Sequence, residues 1–461
     1  MRKRVLVVTV DGWGTNLLGT YGVPICETPA LDQLAAHAIV FDRFIGNSMN
    51  LLAILQSMTD GLHPSLTNER ADCEIADLHQ WISATNRRSV FITDSRSVSE
   101  TAWADQFSES LLIDTTLQGA ELSEEDGPAQ NEFEEHQTVE QESDDDAWME
   151  TGLAQFVGEA LSELAERQND NEGLPDLIWL HLSGLTSAWD APYEYRLALC
   201  DEDDPRPSFA TEPVSFQVGP KTDLDEVFQA MCAAAGQARL IDHLWSWIDA
   251  FVEQSPERET MAIVLCGLRG YPLGEHTSVG LANDSQSSGA SIAFNTPHSE
   301  LVHVPLIIQP GYLSLGFRSR RLTQPNSIRF FFEEWLSDSS DQNPTIESRS
   351  ESANTDFNRY TLFVESTQHD NSGWIQSSRC EAMYTTFWAA IFDPNSGQLS
   401  ELYLMPDDRW QQNNVQNRVP EIVDAMMDLR RQWLQWTTDS IAQATTVLPH
   451  PTSTNCLNQS V

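Results

Sequence analysis

Lysine is nearly missing from this chain: Lys3 and Lys221 are the only two in 461 residues. Arginine supplies the rest of the 26 basic side chains, which face 69 acidic ones for a formal net charge of −43. A surface this acidic repels phosphate backbones and anionic headgroups, so nucleic acid and membranes are excluded as partners. It also repels a polyanionic substrate, and any cleft for one has to be lined with arginine. Long apolar runs are missing as well. No stretch reaches the roughly 18 apolar residues that cross a bilayer. The run Val5 to Val10, behind the basic Met1-Arg2-Lys3-Arg4, is too short for a secretion-signal core. The seven cysteines (26, 73, 200, 232, 266, 380 and 456) are odd in number, scattered and free of any C-x-x-C pair. They predict reduced thiols in a cytoplasmic protein, not a disulfide frame or a cysteine zinc site.

What is present suits a large folded core. With 40 % hydrophobic residues and 14 Trp, the length predicts one big α/β domain with a smaller one, or two to three domains. Arg4 to Thr9 (RVLVVT) is a β-branched run ahead of a loop with Gly12 and Gly14, as at the carboxyl end of a buried parallel strand. Ser89 to Asp94, Leu177 to Leu182 and Met261 to Cys266 predict further buried strands. Helical patterns at Asp77 to Thr85, Trp148 to Gln168 and Glu226 to Phe251 separate them. Thr28 is the expected N-cap of a helix with Pro29 in its first position. This alternation predicts a mostly parallel sheet with helices on both faces.

From Glu121 to Glu150 there are thirteen acidic side chains and no Lys or Arg. With so few apolar residues the segment is expected to be a solvated insertion (121–147), the other reading being a cation- or partner-binding stretch. The boundaries that follow are an α/β domain over 1–336, a polar linker over 337–359, a C-terminal α+β subdomain over 360–440 and a tail over 441–461. In the subdomain, Tyr360 to Glu365, Glu381 to Phe392 and Glu401 to Met405 are expected strands of an antiparallel sheet. Pro420 to Trp436 is an amphipathic helix.

The first sixty residues resemble the N-terminus of the sulfatase branch of the alkaline-phosphatase superfamily. A strand, Asp11, Gly19-Thr20-Tyr21-Gly22, Thr28-Pro29-Ala30-Leu31-Asp32-Gln33-Leu34-Ala35, Ile39 to Phe44 and Gly61-Leu62-His63-Pro64 follow that family's order and spacing. Leu273-Gly274-Glu275-His276, the strand His303 to Ile308, and Glu401-Leu402-Tyr403 ahead of Pro420 to Val423 are similar to its later segments. Trp189-Asp190-Ala191-Pro192 with Asp201 to Pro205 looks like the planctomycete-type, sulfatase-like group. The resemblance implies an alkaline-phosphatase-like three-layer α/β/α fold with a small C-terminal antiparallel sheet and helix, and hydrolysis of sulfuric esters as the family's activity.

That chemistry needs a divalent cation on carboxylates, a nucleophile on the cation, basic residues for the sulfate oxygens and a general acid. By the resemblance, Asp11 stands at the first metal position, next to Gly12. The second metal pair should precede Gly270, where the chain has Leu268-Arg269; leucine cannot ligate, and Arg269 puts a fixed positive charge where the ion would sit. The nucleophile position falls on Leu51, followed by Leu52, Ala53, Ile54 and Leu55, which are expected to form the buried first turn of a helix. The nearest upstream hydroxyl is Ser48. No lysine lies near the expected basic positions; those segments read Asp94-Ser95-Arg96-Ser97-Val98 and Gly280-Leu281. His181 is expected in the core, and His276 at the old cleft.

The primary expectation is therefore a non-catalytic sulfatase homologue that needs no cofactor and acts on an unidentified ligand or protein. Leu268 and Leu51 are expected to face Asp11 across a shallow, metal-free pocket. A second reading is an active sulfuric or phosphoric ester hydrolase with a rearranged site of Ser48, Asp11, His276 and Arg269, holding Ca or another divalent cation. A third is a cation- or partner-binding protein working through the acidic segment.

Overall fold

The computed structural model describes residues 2–24, 26–65, 78–115, 147–169, 173–281, 296–311, 315–336, 372–376, 381–393 and 396–443. In chain order the strands are β1 (Arg4–Val10), β2 (Ile39–Phe44), β3 (Ser89–Thr93), β4 (Glu109–Leu112), β5 (Leu177–Leu182), β6 (Phe216–Gln217) and β7 (Met261–Gly267). They continue with β8 (Ser278–Val279), β9 (Leu306–Gln309), β10 (Phe317–Thr323), β11 (Ser372–Gln376), β12 (Glu381–Thr385), β13 (Trp388–Phe392) and β14 (Leu399–Leu404). Eight of them form the main sheet in the order β10-β2-β9-β7-β1-β5-β3-β4. All neighbours run parallel except β9, which is antiparallel to β2 and β7.

The centre of the sheet is β1, between β5 and β7. Its residues are buried on both faces, which is why they read as a continuous apolar run. Side chains alternate between two cores. Leu6, Val8 and Val10 pack with Ile178, Leu180 and Leu265 under the helices Pro29–Ala36, Gly152–Asn169 and Leu224–Gln254. Val5 and Val7 pack with Trp179 and Val264 under Leu51–Asp60, Leu78–Ala84 and Ile328–Leu336. This is the expected three-layer α/β/α architecture.

The C-terminal strands β11 to β14 form a separate antiparallel sheet in sequence order. One face (Met383, Trp388, Ala390, Phe392, Leu402) packs on the helix Pro420–Gln443 through Ile422, Met426 and Leu429. The other (Ala382, Tyr384, Ala389, Ile391, Tyr403) lies on Ile45, Leu301 and Val302 of the main domain. Arg43 ties the two together by donating to the carbonyls of Thr386 at 2.7 Å and Thr385 at 2.5 Å.

Several local expectations need correction. Thr28 does not cap its helix: its hydroxyl accepts from the Gly19 N–H, and the Ala30 and Leu31 amides donate to Asp242, 3.3 and 2.8 Å away. Glu381 to Phe392 is a hairpin, not one strand, turning at 386–387. The C-terminal helix runs to Gln443, into the expected tail. Trp148, at the end of the acidic stretch, is buried and stacks on His243 at 4.4 Å. Residues 121–146 of that stretch, the linker 337–359 and the strand expected at 360–365 lie outside the described residues.

Candidate functional site

The carboxyl ends of β1, β3, β5 and β7 deliver Asp11, Asp94, Ser183 and Arg269 to one edge of the sheet. In a parallel sheet this edge is where connecting loops leave room for a ligand. Strand register sets the placement: the Asp11 amide donates to the Leu182 carbonyl at 3.0 Å, and the Leu268 amide to the Val10 carbonyl at 3.0 Å. Gly184 must be glycine here, since a Cβ would come within 2.3 Å of the Asp11 carbonyl oxygen at a φ of +56°.

Asp11 is 1 % exposed, and both its oxygens are taken by Arg269. Arg269 Nε reaches Oδ1 at 3.0 Å and Nη2 reaches Oδ2 at 2.6 Å, a forked carboxylate–guanidinium pair. Arg269 Nη1 also donates to the Met49 carbonyl at 3.4 Å, which pins the loop ahead of the helix Leu51–Asp60. Leu268 points away, into the core beneath that helix, so it does not face Asp11. Leu51 is half-buried at the fringe of the same core, and Leu52 is exposed. The pocket expected between Asp11, Leu268 and Leu51 is thus replaced by the Arg269 side chain.

Beside this pair, the Ser183 N–H donates to Asp94 Oδ1 at 2.8 Å and the Ser183 hydroxyl to Oδ2. Burial, with a smaller push from the Asp11 charge, raises the Asp94 carboxyl to about 6 despite those hydrogen bonds. His181 lies on the core side of β5, stacked on Phe91 with Nδ1 3.1 Å from the Thr9 hydroxyl. Burial lowers it to about 4 and keeps it neutral. Among the described residues, neither Ser48, whose hydroxyl accepts from the Asn50 N–H, nor Ser183 touches a histidine. A serine without such a base is a weak nucleophile.

His276 is not at this cleft. Its Nδ1 is 2.7 Å from Glu300 Oε1 and its Nε2 is 2.8 Å from the Gln411 carbonyl, at the seam with the C-terminal sheet. His63 packs edge-on against Trp433, with Nδ1 2.8 Å from the Ser65 hydroxyl. The structure therefore brings together Asp11 and Arg269 and leaves Ser48 and His276 with partners of their own. Asp94 and Ser183 were missed as site residues. The signal available for them was position alone, one residue past a buried strand. A shallow depression of about 370 Å³ lined by Gly19, Thr20, Asp32 and Arg318 shares no residue with this cluster.

No protein-family model matches the chain, and no curated protein matches it. Solved structures do. The phosphonate monoester hydrolase of Agrobacterium radiobacter aligns over 95 % of this chain and 96 % of its own, with TM-score 0.63 and 14 % identity. A 2-O GAG sulfatase aligns over 100 % and 97 %, with TM-score 0.61 and 12 % identity. A protein of the alkaline phosphatase superfamily from Vibrio parahaemolyticus aligns over 97 % and 89 %, with TM-score 0.52 and 8 % identity. From its first strand to its C-terminal helix, this chain has the fold of these sulfatases and alkaline-phosphatase-superfamily structures.

Proposed function

We propose that this chain is a non-catalytic protein of sulfatase-like fold, acting by binding a ligand or protein and not by ester hydrolysis. One observation carries the reading: the Arg269 guanidinium neutralises Asp11 where the resemblance puts a divalent cation. A cation there would have to displace two charge-assisted hydrogen bonds, with one carboxylate as its anchor. Without the ion there is no Lewis acid to polarise a sulfate, and among the described residues neither Ser48 nor Ser183 has a histidine base, the Ser183 hydroxyl being bound to the Asp94 carboxylate instead. The hydrolase reading with Ser48, His276 and Arg269 needs those three in one place, and each is held by separate partners. The acidic-segment reading concerns a stretch of which 121–146 lie outside the described residues.

The test is turnover of aryl sulfate, aryl phosphate and phosphonate monoesters by the purified full chain, with Ca²⁺, Mg²⁺ or Mn²⁺ supplied. The expected result is no hydrolysis above that of an Asp11→Ala variant. Turnover that disappears in Asp11→Ala overturns the proposal.

A further inference from the structure

The Leu273-Gly274-Glu275-His276 segment leads to a second cluster that the Asp11 edge does not use. His276, His298 and Glu300 each place a ligand atom within 4.8 Å of the others'. The two histidines are oriented in the same manner. His276 Nε2 meets the Gln411 carbonyl at 2.8 Å; a carbonyl only accepts, so this nitrogen carries the proton. His298 Nε2 meets the Glu401 carboxylate at 2.8 Å, and that carboxylate also receives the Tyr403 hydroxyl at 2.5 Å. A histidine pinned through one N–H by a carbonyl or carboxylate offers its other nitrogen as a ligand, the usual way proteins prepare a metal-binding imidazole. Here both offered atoms are Nδ1. That of His276 is 2.7 Å from Glu300 Oε1, and that of His298 faces the Thr296 hydroxyl.

Glu300 supplies an independent pointer. It is 4 % exposed, and its second oxygen, Oε2, has no hydrogen-bond partner among the described residues. An unused carboxylate oxygen in a buried place is costly, and a bound cation would satisfy it. We infer that His276, His298 and Glu300 form a site for a zinc-like divalent transition ion, with Glu401 and the Gln411 carbonyl orienting the ligands. Two imidazoles and one carboxylate suit zinc and its first-row neighbours; calcium and magnesium prefer an all-oxygen shell. The ion takes the place of the proton shared between His276 Nδ1 and Glu300. The rings are stacked, with centroids 3.7 Å apart and 3° between planes, so their in-plane lone pairs run side by side. Coordination therefore splays them. The ligands belong to the main domain, and the orienting groups belong to the C-terminal sheet and the loop after it, so the ion would staple one to the other. This inference does not depend on the Asp11–Arg269 reading.

The experiment titrates Zn²⁺ into the chelator-treated full chain against a competing indicator, with Co²⁺ absorption to report the donor set. One ion per chain is expected, with loss of binding in His298→Ala and Glu300→Gln and no change in Asp11→Asn. Glu401→Gln, which alters only an orienting group, should weaken binding by roughly 10–100-fold. If His298→Ala does not fold, Glu300→Gln and Glu401→Gln decide the matter. Absence of stoichiometric zinc in the unaltered chain overturns the inference. So does full affinity in Glu300→Gln, or a thiolate charge-transfer band on cobalt binding, which would point to the cysteines.

Discussion

Arg269→Ala tests whether the strand-end ion pair takes over from a bound cation. It leaves the Asp11 carboxylate, whose side chain is 2 % exposed, with neither of its hydrogen-bond donors. Stranding one partner of a buried ion pair costs about 3–5 kcal/mol. The Arg269 side chain is 22 % exposed, so water reaches part of the vacated space and the lower figure, about 3 kcal/mol, applies. Urea denaturation followed by tryptophan fluorescence reads this loss. Asp11→Asn combined with Arg269→Ala removes the charge as well and should recover a large part of the stability, because a neutral amide is far cheaper to bury. Millimolar Ca²⁺ should then stabilise the Arg269→Ala single variant, by about 1.4 kcal/mol at ten times its dissociation constant, and leave the unaltered chain unaffected. Two results refute the reasoning. Equal instability of the single and double variants would show that the arginine stem's packing, not its charge, was lost. Ca²⁺ stabilisation of the unaltered chain would show that the guanidinium does not occupy the cation's place.

The other predictions concern the surroundings of that pair and the seam between the two sheets. Asp94 is raised from an ordinary 3.8 to about 6, so the folded state holds its proton more tightly than the unfolded one. Its contribution to stability is therefore lost as pH rises from about 4 to about 6, and Asp94→Asn should gain on the order of 2 kcal/mol relative to the unaltered chain at pH 7 but not at pH 4. An Asn variant that is no more stable at neutral pH would mean the Ser183 hydrogen bonds outweigh burial of the charge. Arg43→Ala leaves the Thr385 and Thr386 carbonyls without their donor at a buried seam, a loss of about 1–3 kcal/mol. Hydrogen exchange should quicken first in β12 and β13, whereas unchanged exchange there would mean the apolar contacts alone hold the sheet.

How much of this was legible in the sequence depended on how local each cause is. Strands β1, β3, β5 and β7 could be read because burial on both faces imposes a largely apolar run, and that pattern is written within five to seven residues. The cap of the first helix could not, because the acceptor is Asp242, 211 and 212 positions from the amides it binds. Thr28 satisfied every local rule for a cap, yet its hydroxyl serves Gly19 instead. The β12–β13 hairpin was hidden because 384–388 reads Tyr-Thr-Thr-Phe-Trp, with no glycine, proline or asparagine. Its turn is held by the Thr385 hydroxyl accepting from the Trp388 N–H at 3.0 Å. At the histidine cluster, motif matching singled out His276 and Glu401, but their link runs through His298, stacked on one and hydrogen-bonded to the other. No window on the sequence contains all three.

The Asp11–Arg269 pair was half legible in the sequence. The resemblance put the Arg269 charge where the ion would sit, but left a shallow pocket between Asp11, Leu268 and Leu51. Register decides otherwise: Leu268 follows β7 on the side of the core that holds Val264 and Trp179, so it is buried there and the next side chain turns toward Asp11. A carboxylate at the end of a central strand requires a counter-charge, because burying it alone costs several kcal/mol. A divalent cation meets that requirement only when the solution supplies it and the other ligands are present. A guanidinium carried on the neighbouring strand's loop meets it permanently, with two directed hydrogen bonds and no other ligand. Pairing Asp11 with Arg269 therefore lets the central sheet fold independently of ion concentration.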